Sequence, residues 1–349
     1  MRTSRDSGPN HRVEIFQPDQ KDRWRQVEPS IWSLASDEQL DHGEQSLLAT
    51  LWDQPRRLEP QFLYDERGSE LFEQISALPE YYLTRTEEAI LLKEAETMIS
   101  MAPVESIVEL GAGFSKKTRH LLKQQVRQRQ QTAFVAVDVS LSSLEGSRES
   151  IEKRFPEIQF HGLLARYEEG ISCIDSSLST LFAFLGSSVG NFDRFEFARF
   201  FQLVRRCMGP QDYFLLGVDC DKEREVIERA YNDSQGVTEQ FILNVFNNVN
   251  RILGSNFDPN QIRYHSVYDP EWRQVEMYGV STARQVIEVP SCQSRWVWEE
   301  GEKILVEISR KFDSEQLEQQ LQYFGFESVG RFTDPQKWFS LLLFRTRTS

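Results

Sequence analysis

From residue 106 onward, short apolar runs alternate with segments whose apolar residues recur at helical spacing. Residues 106–110 (SIVEL) predict a strand and 116–127 a helix, and 133–139 (AFVAVDV) predict a second strand with a helix over 141–155 behind it. Residues 180–185 (TLFAFL) and 213–218 (YFLLGV) continue the series, separated by helical spacing over 195–208, with 159–164 a weaker strand candidate between. Strands alternating with helices in this way predict a mostly parallel sheet with right-handed crossovers.

The flanks read differently. Residues 1–20 look like a mobile tail, and the polar stretch as far as residue 45 is grouped with it. Residues 44–59 and those after Leu71 return to helical spacing, and Thr84 followed by Glu87 predicts a capping box opening an amphipathic helix. After Asp219 a long polar helix is predicted over 222–253, followed by strand-like alternation over 263–289. A helix over 314–323 and strands over 326–332 and 338–345 close the chain. The expected organisation is a polar N-terminal tail (1–45), an α/β domain (46–219 and 311–349) and an inserted α+β module (220–310). Residues 46–63 are placed to pack on the insert.

Composition narrows the classes. With 349 residues the chain has room for two domains, or one carrying an insertion, at about 150 residues per domain. Its 54 acidic against 40 basic residues, net −14, argue against nucleic acid, which needs a basic field. No apolar run approaches the roughly 18 residues of a membrane span, and the first 45 residues lack an apolar signal core. Four widely spaced cysteines without a CxxC pair, and five scattered histidines, predict a reduced, metal-free, cytoplasmic protein.

The strongest local signal is ELGAGFS over 109–115, between a predicted strand and helix. Gly111 and Gly113 let the backbone approach a ligand at the carboxyl end of a sheet. Lys116 stands where a dinucleotide fingerprint has its third glycine, which disfavours a pyrophosphate and a nicotinamide cofactor. Asp138, at the end of the next strand, is placed to accept both hydroxyls of a ribose. Glu109, Gly111, Gly113 and Asp138 together favour a ribose-bearing ligand without phosphates, and S-adenosylmethionine suits such an acidic pocket.

Four blocks then resemble a known family. LPEYYLTRTE (78–87), ELGAGFSKKTR (109–119), FLGSSVGNF (184–192) and VEISRKF (306–312) are similar to the histidine Nα-methyltransferases, in order and across residues 47–344. The resemblance implies a Rossmann-like class I methyltransferase sheet with an inserted α+β substrate-binding domain, acting as a monomer. It implies three methyl transfers from S-adenosylmethionine to L-histidine, giving hercynine, the first step of ergothioneine biosynthesis. By position it implies that Tyr64 lies beside the reacting centre and that Gly111, Gly113, Lys117 and Asp138 bind the cofactor. Tyr81 and Tyr231 match the tyrosines that hold the substrate carboxylate, Asn191 the residue that orients the amine, and Glu307 with Ser309 the pair that reads the imidazole. Met277 matches a residue lining the same pocket.

The side chains suit those roles. Two phenols can bind a carboxylate without a buried cation. Glu307 and Ser309, two apart, share a face if their segment is extended, and together address two different imidazole nitrogens. Local sequence alone would read them as surface positions in a charged stretch. One departure stands out: the family's Gly-Asp-Phe, whose Asp approaches the adenine amine, is here Ala165-Arg166-Tyr167. Arg166 has no acceptor to offer that amine. A smaller change places Ala112 where Ser or Thr is common. A methyltransferase for another aromatic amino acid and a non-catalytic binding protein on the same fold remain as alternatives.

Overall fold

The structure, a computed structural model, describes residues 15–17, 20–34, 38–128, 132–174 and 177–347. Residues 1–14 of the expected tail lie outside the described residues. The chain opens with β1 (Trp24–Glu28), β2 (Ile31–Leu34), α1 (Glu38–Leu51), α2 (Glu66–Ala77) and α3 (Tyr82–Met101). The alternating region follows: β3 (Ser106–Leu110), α4 (Arg119–Gln128), β4 (Thr132–Asp138), α5 (Leu141–Arg154), β5 (Ile158–Leu164), α6 (Tyr167–Ser172), β6 (Thr180–Phe184), α7 (Arg194–Cys207) and β7 (Tyr213–Asp219). The insert contributes α8 (Arg224–Tyr231), α9 (Val237–Leu253), β8 (Ile262–Asp269), β9 (Gln274–Ser281), β10 (Gln285–Val289), β11 (Ser294–Trp298) and β12 (Lys303–Arg310). The chain returns through α10 (Ser314–Gln322), β13 (Phe326–Thr333) and β14 (Phe339–Thr346).

Nine strands form one sheet in the order β1-β2-β5-β4-β3-β6-β7-β14-β13. Strands β2 and β5, β5 and β4, β4 and β3, β3 and β6, and β6 and β7 run parallel, while β14 and β13 add an antiparallel edge. Every residue of β3 and β6 is buried, because helices cover both faces, and such strands read as unbroken apolar runs. This is the α/β sheet expected of a Rossmann-like methyltransferase. A separate antiparallel sheet, β12-β9-β8, and the β10–β11 hairpin belong to the insert. The insert's core draws in Leu47, Leu51, Phe62 and Leu63, so the end of α1 and the segment after it share a core with Phe246, Trp298 and Ile304.

Three local expectations are corrected. Residues 24–34, grouped with the polar tail, form a hairpin that extends the sheet, with Ile31 opposite Gly162 of β5. A few large apolar groups anchor it: Phe16 meets Trp24 and Trp32, and Trp32 meets His161. The long polar helix is two helices, because the Asp233 carboxylate accepts from the N–H groups of Gln235, Val237 and Thr238 and Gly236 turns the chain at φ +67°. Thr84 does not cap α3, which begins two residues earlier after Tyr81. Glu87 points inward instead, where tertiary partners described below hold its carboxylate.

Asp233 supplies the acceptor for the first turn of α9. Asp233→Ala is expected to cost about 0.5–2 kcal/mol of stability, measured by urea unfolding, without removing either helix from the circular dichroism spectrum.

A candidate active site at the switch point of the sheet

The strand order reverses at β3: β4 and β5 lie to one side, β6 and β7 to the other. Open α/β sheets bind ligands in the crevice at the carboxyl ends of the strands at this point. A cavity of about 1020 Å³ occupies it, lined among others by Tyr64, Tyr81, Glu109, Gly111, Gly113, Lys117, Asp138 and Asn191. Gly111 and Gly113 have φ of +68° and +51°, a left-handed backbone that favours glycine, and a Cβ on either would project into open space. Asp138 accepts from the Gly113 N–H (2.8 Å) and the Ser140 N–H (2.9 Å), which leaves further lone pairs on both oxygens. Burial pushes the Glu109 carboxyl up to about 8, and its Oε2 is buried without a hydrogen-bond partner among the described residues.

Lys117 is paired with Glu87, which is fully buried and also accepts the Gly186 N–H at 2.9 and 3.0 Å. Gly217 leaves room for it, since a Cβ there would run into the Glu87 carboxylate and displace it. Lys116, in contrast, turns outward to Glu73. A left-handed glycine loop, an Asp with lone pairs to spare, a buried carboxyl with an open acceptor and a lysine nearby fit S-adenosylmethionine, whose amino-acid end carries both charges. Arg166 also lines this cavity and pairs with Glu169 at 3.5 Å. Its side chain offers donors only, so it has no acceptor for an adenine amine.

The other predicted residues gather at the insert side. Asn191 lines the cavity and donates from Nδ2 to Glu307 Oε1 at 2.8 Å. A close approach makes this possible: a Cβ on Gly190 would lie 2.9 Å from the Arg310 carbonyl oxygen. Tyr64 packs edge-on against Phe72 and Phe241, and the Tyr81 ring meets that of Tyr231. Tyr231, Met277, Glu307 and Ser309 do not line the cavity themselves. They are continuous with it through Asn191 and Tyr81, and Met277 on β9 sits opposite Glu307 on β12.

Behind them is a charged cluster that sequence reasoning missed. Lys311 donates to Asp219 Oδ2 (2.8 Å), to the Tyr231 hydroxyl (2.7 Å) and to Ser309 Oγ (2.9 Å). Asp219 also takes Lys222 and the Tyr82 hydroxyl. A signal existed: Glu307, Ser309 and Lys311 follow each other at the period of two that puts side chains on one face of a strand.

Burial, with the Glu307 charge nearby, holds the Tyr64 phenol well above its ordinary value. Burial does the same for Tyr81, beside Tyr231, and for Tyr231, beside Asp219. Burial raises Glu307 to about 8 against the pull of Lys311. A carboxyl raised by folding keeps a proton that the unfolded chain has lost, so Glu307 lowers stability as pH rises from about 4.5 to about 8. Glu307→Gln is therefore expected to gain melting temperature relative to the parent across that interval, with the difference level above it. A difference that does not change with pH would show that Glu307 is ionised in the folded protein throughout.

The family described as "Histidine-specific methyltransferase, SAM-dependent" matches residues 43–346. The chain is 34% identical over 289 residues to the histidine N-alpha-methyltransferase of Mycobacterium tuberculosis, covering 83% of this chain and 90% of that one. It is 33% identical over 310 residues to the histidine N-alpha-methyltransferase of Mycolicibacterium smegmatis, covering 89% and 97%. It is 32% identical to ergothioneine biosynthesis protein 1 of Neurospora crassa, covering 85% of this chain and 34% of that longer one. With its sheet, its glycine loop and a match that spans both the sheet and the insert, the chain belongs to the histidine-specific, S-adenosylmethionine-dependent methyltransferases.

Proposed function

We propose that the protein methylates the α-amino nitrogen of L-histidine three times, giving hercynine, the first step of ergothioneine biosynthesis. The observation that carries this reading is the Asn191–Glu307 hydrogen bond. It joins the residue assigned to the amine to the carboxylate assigned to the imidazole, at the wall of the cofactor cavity. S-adenosylmethionine supplies a methyl group made electrophilic by its sulfonium.

The protein's part is to desolvate, align and hold the amine. Asn191, with Nδ2 committed to Glu307, has its carbonyl oxygen left to accept an amine N–H in the first two rounds and so point the nitrogen lone pair at the methyl carbon. In each round a C–N bond forms, the C–S electrons return to sulfur and one proton leaves the nitrogen. After the third, the nitrogen has no lone pair and the reaction stops. Tyr64 and Tyr81, kept neutral by burial, serve as hydrogen-bond donors and aromatic faces rather than as bases. Their faces, with Phe72 beside them, stabilise the growing ammonium. In this assignment Tyr81 and Tyr231 hold the carboxylate, Glu307 and Ser309 read the imidazole, and Met277 closes its side. Gly111, Gly113, Lys117 and Asp138 hold the cofactor. The same reading has the protein work as a monomer in the cytoplasm, and among the described residues no helix is long and apolar enough to cross a membrane.

Mass spectrometry of products formed from S-adenosylmethionine and a mixture of amino acids tests this directly. Histidine carrying three methyl groups is expected. Methylation of another aromatic amino acid would overturn the assignment of Glu307 and Ser309, and no product would favour a non-catalytic binding role. Asn191→Ala is expected to lower kcat at least tenfold while leaving S-adenosylhomocysteine affinity within about twofold; an unchanged rate would remove its role.

A further inference from the structure

Lys311 has no exposed side-chain surface, and its ammonium has three protons with three acceptors around it. One goes to Asp219 Oδ2, one to the Tyr231 hydroxyl oxygen and one to Ser309 Oγ. Both hydroxyl oxygens therefore act as acceptors toward the lysine. They also lie 2.8 Å from each other, so one of the two donates to the other. Two hydroxyl protons are available to the pair, and this mutual bond uses one. A single O–H remains to point away from the lysine.

We propose that Lys311 is a positioning residue that sets the hydrogen-bond polarity of the substrate site, so that Tyr231 and Ser309 together present one donor to the bound amino acid. The proposal rests on the histidine reading above. Without the ammonium, lone pairs on both oxygens are released and the two hydroxyls can turn either way, so donor and acceptor presentations compete. With it, the one remaining O–H, on whichever of the two hydroxyls carries it, points away from the lysine before the substrate arrives. Ion-assisted bonds of this kind are short and roughly twice as strong as neutral ones, which suits a residue that must hold two rotors still. Asp219 in turn holds Lys311, while Lys222 and the Tyr82 hydroxyl complete the Asp219 shell. The ammonium is thus anchored at the end of β7, on the sheet, while the hydroxyls it orients belong to α8 and β12 of the insert.

The test is calorimetric titration of L-histidine into the full-length protein saturated with S-adenosylhomocysteine, with melting curves to establish that each variant is folded. Lys311→Met is expected to weaken histidine at least tenfold and S-adenosylhomocysteine less than twofold. In a Tyr231→Phe/Ser309→Ala background the same change is expected to alter histidine affinity less than twofold, because the lysine then has no hydroxyl to orient. If Lys311→Met does not fold, Lys311→Arg replaces it: the planar guanidinium keeps charge and donors but cannot split them three ways, and the same selective loss is expected. Unchanged histidine affinity in a folded variant would overturn the proposal. So would an undiminished loss in the double background, or histidine and S-adenosylhomocysteine affinities falling together. The parent protein's own titration separates the two readings. Histidine binding by the parent with no selective loss in the variants removes only the role of Lys311, whereas no binding by the parent removes the substrate assignment and this proposal with it.

Discussion

The fully buried Asp219 carboxylate holds Lys222 and Lys311 at once, and much of the molecule is arranged around that contact. An ion taken out of water is tolerated only when its partners are close and its remaining hydrogen-bonding capacity is filled. Asp219 ends β7; Lys222 follows it into the insert, and Lys311 is where the insert's last strand rejoins the sheet domain. Both backbone crossings therefore pass through the same charge cluster. The chain is pinned there by backbone bonds as well: the Phe312 N–H donates to the Asp219 carbonyl and the Cys220 N–H to that of Trp338. This joint ties the insert to the sheet, and the residues proposed for the substrate sit on its two sides.

A second buried carboxylate does comparable work at the cofactor end. Glu87 reaches from α3 to the N–H of Gly186 and to Lys117, tying the turn after β6 to the start of α4. The left-handed turn at Gly186, with φ +74°, opens the segment that carries Asn191. Lys117 and the segment that carries Asn191, proposed for the cofactor and the amine, thus both meet one side chain of α3. Both carboxylates act by filling backbone or ammonium donors that would otherwise be left bare inside the protein.

What could be read in the sequence follows the same physics. Strands β3, β4, β6 and β7 were legible because a sheet covered on both faces writes itself as unbroken apolar runs, and the glycine loop because a left-handed backbone demands glycine at Gly111 and Gly113. The hairpin of β1 and β2 was not, since its anchors are a few aromatic residues in a polar background and its partners lie more than a hundred residues away. Glu87 was misread as half of a local capping box because a tertiary partner, Gly186, outbid the local one. Glu307, Ser309 and Lys311 look like a charged surface stretch in the sequence, and only the resemblance singled out the first two. Lysine is a surface residue by default, so its burial is visible only once Asp219 is found beside it.

The chemistry of the substrate side now has a direction. Three phenols near the proposed reacting end are held neutral by burial, while Glu307, like Glu109 on the cofactor side, is a carboxyl whose charge can change near neutral pH. A carboxyl raised to about 8 is a poor permanent anion but a good responsive one: an N–H donor arriving beside it stabilises the ionised form and draws the proton off. An imidazole offers such an N–H, and a phenyl or aliphatic side chain offers none and would leave a buried polar group unpaired. On the proposed assignment, discrimination of this kind does not need a tight steric fit and would rest on Glu307 in β12 of the insert. The sheet's crevice then serves the cofactor, while the amino acid is chosen, on the same assignment, by Glu307 and Ser309 of the insert together with Asn191 at the cavity wall.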